Sequence, residues 1–245
     1  MFSFLRSPLF IASCCALTLS GCDCDDHRTV CANGPDVSET RPIADLSRLN
    51  VAHSADVYLT QDSVPSLRLE APRNVLAVLR TETVGGELRL STAPGVNLKL
   101  NAPVRVYLSL PALTALTGSG STHFRGATAW RVNDLVLGLS GASTADLAVT
   151  ATGALRTDAS GASQVLLRGA TPQHTVTLSG ASKLEAFDLT TGTADIDASG
   201  ASQARVTVAT ALAVSASGAS EVYYQGNPTV TVRTVSGGAR LVKVN

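Results

Sequence analysis

Beyond position 31 this 245-residue chain has no cysteine; all 5 lie at Cys14, Cys15, Cys22, Cys24 and Cys31. Whatever folds after that point is held without disulfides and offers neither a thiolate nucleophile nor a thiolate metal site. Aromatic residues are scarce, at 4% against 44% hydrophobic, so the core must be built from Leu, Val and Ala. A thin, layered interior that rejects rings is the expected consequence. Charge of either sign is not in excess: 19 Lys and Arg balance 19 Asp and Glu. That balance gives no electrostatic reason to expect nucleic acid as a partner. The 4 histidines, His27, His53, His123 and His174, are far apart with no carboxylate, Cys or second His at metal-ligand spacing, so each is expected at the surface. Phosphate-loop, dinucleotide and calcium-nonapeptide patterns are absent, and no serine sits in a nucleophile elbow. No cofactor, metal or catalytic residue is assigned.

The amino terminus carries the one continuous apolar stretch, Leu9 to Leu19 (LFIASCCALTL), preceded by Arg6. It is too short to cross a bilayer as a helix and reads as the core of a signal peptide over residues 1–21. Leu19-Ser20-Gly21-Cys22 resembles the lipobox of bacterial lipoproteins, which implies cleavage before Cys22 and lipidation of its thiol. Each buried methylene adds roughly 0.8 kcal/mol, so two or three acyl chains give stable anchoring. The membrane is then a partner through Cys22, and the bacterial cell envelope is the expected location, with the leaflet left open. Cys24 and Cys31 are a candidate small-loop disulfide in an oxidising compartment. Residues 22–42 are polar, lack apolar periodicity, and read as a linker of up to roughly 65 Å at about 3.3 Å per residue.

The remainder is repetitive. Gly118-Ser119-Gly120-Ser121 is followed by Ser-Gly-Ala-Ser beginning at Ser140, Ser160, Ser179, Ser199 and Ser217, and then by Ser236-Gly237-Gly238-Ala239. The serines recur every 18 to 21 residues, one structural unit per repeat. Between them apolar and polar residues alternate, as in Ala145, Leu147, Val149 and in Ala194, Ile196, Ala198, the period of a half-buried strand. A unit this small cannot bury its own apolar side and must stack on its neighbours. The fold class expected is all-β, a right-handed parallel β-helix or β-solenoid with coils of about 20 residues over positions 43–245. An antiparallel sandwich of short strands is the alternative, but it gives no reason for identical corners.

In the corner, glycine permits positive φ, serine hydroxyls bond nearby backbone, and alanine is expected where coils press together. The competing reading is a comb of stacked serines that binds a ligand. Residues 43–117 repeat less regularly, with strands expected around 57–60, 66–70, 75–80, 87–91, 97–100 and 104–110 and prolines at their boundaries. They read as the first irregular coils, or as a separate small β domain.

The segments Ala55-Asp56-Val57-Tyr58-Leu59-Thr60-Gln61, Leu67-Arg68-Leu69-Glu70-Ala71-Pro72, Val104-Arg105-Val106-Tyr107-Leu108-Ser109-Leu110-Pro111 and Glu221-Val222-Tyr223-Tyr224-Gln225-Gly226-Asn227-Pro228, taken with the corners, carry a resemblance. Over residues 46–245 the chain resembles the bacterial "putative auto-transporter adhesin, head GIN domain" family. The resemblance implies a right-handed β-helix-like fold on an exported, often lipid-anchored protein, and it supplies no catalytic residues.

Two function classes follow. The first is a non-catalytic binding, adhesion or structural module of the envelope, meeting a glycan or an envelope protein through its faces. Trp130, in the longest interval between corners, and Tyr223 are the aromatic candidates for such a surface. The second is a polysaccharide-acting enzyme, which requires some of Asp146, Asp158, Glu185, Asp188, Asp195 and Asp197 to converge beside Arg156, Arg168, Lys183 or Arg205. An envelope signalling role is compatible with the sequence and favoured by nothing in it.

Overall fold

The computed structural model describes residues 28–245. The repeats stack as a parallel β-solenoid of about 6 turns. Two parallel ladders run its length, one before each corner and one after it. The ladder before the corners aligns Glu87–Thr92, Arg48–Val51, Ala115–Gly118, Leu135–Leu139, Ala154–Ala159 and then the second halves of Gln164–Leu178, Lys183–Ala198 and Gln203–Ala216, ending on Thr229–Val235. The ladder after them aligns Val104–Leu110, Ala55–Gln61, Thr122–Gly126 and Thr144–Ala151, continues through the first halves of the long strands, and ends on Glu221–Gln225 and Arg240–Lys243. Parallel register throughout the repeats excludes the sandwich.

Strand alternation delivers the core as columns. One inward position reads Leu88, Leu49, Leu116, Leu137, Thr157, Val176, Ile196, Val214. Another reads Val106, Val57, Phe124, Ala145, Val165, Leu184, Ala204, Val222. Nearly all are under 4% exposed, and each buried Leu contributes roughly 1.5 to 3 kcal/mol. The interior does admit rings, contrary to expectation. Phe124 is fully buried because Gly118 leaves space: a Cβ there would lie 2.6 Å from the Phe124 ring.

The corner divides its four residues differently from the sequence reading. The first glycine of each has φ between 69° and 77°, from Gly120 to Gly237. Glycines stack on glycines: the Ala162, Ala181, Ala201 and Ala219 amides donate to the Gly141, Gly161, Gly180 and Gly200 carbonyls at 2.7 to 2.8 Å. Alanine, placed at the press point by sequence, is exposed instead. The fourth residue turns inward: Ser143, Ser163, Ser182 and Ser220 are buried, and each hydroxyl donates to the carbonyl three residues back at 2.7 to 2.8 Å. Thr122 does the same in the first corner, donating to the Ser119 carbonyl at 3.0 Å. Such a bond satisfies a buried hydroxyl and a turn carbonyl together.

Residues 43–117 join the same ladders, but not in chain order. The coil over 48–61 lies between that over 87–110 and that over 115–126. Antiparallel strands close this end, Asp36–Arg41 on Ser66–Pro72, which in turn pairs with Val104–Leu110. The linker expected over 22–42 is thus shorter, because 36–41 finds an open sheet edge for its backbone. Arg41 braces the closure by donating to the Leu79 and Leu76 carbonyls at 2.8 and 2.9 Å. The strand expected over 75–80 is a helical turn, Arg73–Leu76, followed by the hairpin strand Leu79–Val84.

Candidate binding faces

The outward positions of the ladder after the corners form straight columns. One runs Arg68, Tyr107, Tyr58, Arg125, Asp146, Leu166, Glu185, Arg205, Tyr223. Tyr58 and Tyr107 stack with ring centroids 4.9 Å apart, and the Arg68 guanidinium lies 3.8 Å over the Tyr107 ring. Arg68 also donates to Glu70, which accepts further bonds from Arg105 at 3.0 Å and the Tyr107 hydroxyl at 3.3 Å. Desolvation pulls the Glu70 carboxyl upward, but the Arg68 charge and these bonds outweigh it and hold it below the usual range. The sequence signal for this cluster was the repeated Val-Tyr-Leu at 57–59 and 106–108, which places both tyrosines at one register position.

Tyr223 faces outward and is partly exposed, as required of a surface candidate. Its hydroxyl donates to Glu221 at 2.9 Å, which raises its pKa, and Arg205 lies 5.6 Å over its ring. Trp130 is not on a surface loop. It is fully buried at the first strand of a third, shorter ladder, Trp130–Val132, whose register partner is Val149–Ala151. Gln61 holds this strand from the other side, accepting from the Arg131 amide at 2.8 Å and donating to the Arg131 carbonyl at 3.0 Å. The ring fills the space where that ladder begins, so Trp130 is a packing residue. Cys31 is disulfide-bonded. Cys22, Cys24 and His27 lie outside the described residues.

Histidine placement differs from the surface expectation. His174 occupies an inward position between Leu155 and Ala194 and is 1% exposed. Its Nε2 is 3.0 Å from the Thr157 hydroxyl, and its Nδ1 has no partner among the described residues. Burial lowers its pKa to about 4, so it is neutral at physiological pH. His53 pairs with Thr92 at 3.0 Å and is lowered by partial burial, while His123 pairs with Thr144 at 2.8 Å.

The acidic residues do not converge. Asp146 and Glu185 face out from the ladder after the corners, whereas Asp158, Asp195 and Asp197 face out from the one before them. Each of four is tied to its own arginine: Asp146 to Arg168 at 2.6 Å, Asp158 to Arg156 at 2.7 Å, Glu185 to Arg205 at 3.4 Å, Asp195 to Arg233 at 2.7 Å. Among the described residues no group of three or more His, Cys, Asp or Glu is placed to hold a metal ion.

Stacked coils, repeated corners and continuous outer columns define a β-solenoid protein whose exposed chemistry is spread along faces. Among solved structures it is similar to a putative adhesin of Bacteroides fragilis, at 14% identity and TM-score 0.81, covering 88% of this chain and 100% of that one. A putative lipid binding protein of Parabacteroides distasonis matches at 18% identity and TM-score 0.67, and a putative adhesin of Parabacteroides merdae at 15% and 0.65, each covering 89% of this chain and 100% of theirs. These likenesses establish the fold. No curated protein sequence matches. The chain belongs to the family described as "Putative auto-transporter adhesin, head GIN domain", whose model matches residues 45–228.

Proposed function

We propose that this chain is a non-catalytic binding module of the bacterial cell envelope, anchored through lipid on Cys22 and acting through its outer faces. The dispersal of the carboxylates carries this reading. General acid and base groups must share one site within hydrogen-bond reach of a substrate. Here the carboxylates are spread over two faces, four of them are each paired with an arginine, and the two that share a column, Asp158 and Asp197, are held apart by the coil of Thr177 between them. Uncovered faces of a solenoid are, by contrast, extended platforms for a partner. The names given to the family and to its structural neighbours point the same way. The anchor rests on the lipobox-like Leu19-Ser20-Gly21-Cys22.

One preparation tests both parts. The full chain, expressed with its leader in a bacterium, is expected in the membrane fraction and labelled by palmitate, while Cys22→Ser is unlabelled and released. Offered a panel of envelope polysaccharides and proteins, the membrane-bound chain is expected to retain a component without shortening it. New reducing ends in a retained polysaccharide would refute the non-catalytic reading, and palmitate on Cys22→Ser would refute the anchor.

A further inference from the structure

The two serines of each corner have separate fates. The fourth-position hydroxyl is spent on the backbone inside the coil at Ser143, Ser163, Ser182 and Ser220, with the buried Ser202 the exception. The first serine stays at the surface, partly exposed in Ser140, Ser160, Ser179, Ser199 and Ser217. Ser160 and Ser199 reach back weakly to the Leu139 and Leu178 carbonyls at 3.5 and 3.3 Å. The hydroxyls of Ser140, Ser179 and Ser217 take no partner among the described residues. Stacking sets these serines one coil apart, about 4.8 Å.

Two positions before each serine, the same strands present an outward column: Thr117, Gly138, Asp158, Thr177, Asp197, Ser215, Thr234. The Thr177 and Asp197 side chains likewise make no hydrogen bond among the described residues, although Asp197 lies near the Arg233 charge. Between this column and the serines runs a groove with two hollows, of about 300 Å³ around Asp158 and Ser160 and about 260 Å³ around Asp197 and Ser199. Both are lined by Thr177, so the hollows adjoin. The strand backbone at Gly138, Leu139, Ala159 and Leu178 floors it, the side chains of the last three lying in the core, and the hydroxyl and carboxylate residues line it beside them.

We infer that this groove is a binding site for a neutral polysaccharide laid parallel to the solenoid axis. The inference rests on the binding-module reading above and gives it a ligand class and a location. A pyranose ring has the groove's own amphipathy, with C–H faces for the floor and hydroxyls that donate to carboxylates and exchange bonds with serine and threonine. Polymers repeat, and so do the rims, coil by coil. Charge decides among polymers: no lysine or arginine lines either hollow, and the two carboxylates that do are balanced from outside it, Asp158 by Arg156 at 2.7 Å and Asp197 by the nearby Arg233. An anionic uronate, sulfated glycan or nucleic acid therefore finds no cation there. An acyl chain is disfavoured as well, since it would leave the rim groups desolvated without partners.

The test uses the full chain and neutral hexasaccharides of glucose, xylose and mannose, with a hexauronate as charge control, read by calorimetric titration. At least one neutral hexasaccharide is expected to bind and the hexauronate not to. A Thr177→Val, Ser179→Ala double variant removes two rim hydroxyls at the junction of the hollows. It is expected to keep the wild-type melting temperature and to lose at least tenfold in affinity, and Asp197→Lys, with equally intact melting, to lose as much. Tyr223→Ala, on the other ladder, is expected to bind as wild type. Absence of binding to every neutral sugar, or undiminished binding by the Thr177→Val, Ser179→Ala variant, overturns the groove. If Tyr223→Ala alone loses affinity, the groove falls while the binding-module reading survives on the tyrosine face.

Discussion

Gly180→Ala is expected to destabilise the protein by about 2 to 5 kcal/mol, read as a lowered midpoint in denaturant unfolding. Two costs add. The native φ of 70° is a left-handed conformation that costs an L-residue roughly 1 to 2 kcal/mol. The new methyl would also lie 2.6 Å from the Gly161 carbonyl oxygen, and relieving that overlap by parting the coils costs about 1 to 3 kcal/mol more. That carbonyl is the acceptor for the Ala181 amide, so the coil cannot part without weakening a ladder bond. Ala181→Ser, one position on and exposed, is the control, expected within about 0.5 kcal/mol of wild type. A Gly180→Ala protein unfolding at the wild-type midpoint would remove the glycine stack from the account.

Acid is expected to weaken the fold through His174. The sign follows from its lowered native pKa, about 4 against 6.5 for an exposed imidazole. The native state disfavours the proton that the unfolded chain accepts, so the contribution is fully present above pH 6.5 and is lost as pH falls toward 4. By pH 4 the loss is about 3 kcal/mol. Carboxylates titrate near the same range, so the effect must be isolated by substitution. Replacing His174 alone would strand the buried Thr157 hydroxyl, its partner at 3.0 Å. A His174→Leu, Thr157→Val double variant removes both polar groups and restores an aliphatic column. Between pH 7 and 4 it should lose about 3 kcal/mol less stability than wild type; parallel pH profiles for the two proteins would show that His174 is not buried neutral.

The repeat was legible because it is local: serine spacing gave the coil length, and period two gave the inward and outward faces. The jobs within the corner were not, because Ser, Gly and Ala are all small. Which of them enters the core depends on the backbone turn, and it is the fourth residue, Ser182 for example, that does so. Order among the first coils was also hidden. Alternation in 48–61, 87–92 and 104–110 specifies a buried face but not a neighbour, and the first of these, although earliest in the chain, lies between the other two and the coil over 115–126. Trp130 misled because the longest interval between corners suggested a surface site, yet the interval holds a short strand in which Arg131 faces outward while the ring, at the opposite phase, faces in. His174 misled similarly, between Gln173 and Thr175, both exposed. The acidic residues, recurrent in successive coils, looked able to share a face. The two ladders separate Asp146 and Glu185 from Asp158, Asp195 and Asp197, and arginines pair four of the five.

The solenoid is stacked corner on corner, each hydrogen-bonded to the corner before it. Amide hydrogen exchange at Ala162, Ala181, Ala201 and Ala219 tests it directly. Their side chains are exposed, yet their amides donate at 2.7 to 2.8 Å to the glycine carbonyls of the preceding coil. Exchange for these four is expected to be as slow as for the core-strand amides of Ile196 and Val214, opening only with the global transition. Exchange near the free-peptide rate at these alanines, with the strands still protected, would mean that the corners are surface turns and not the seam along which the solenoid is stacked.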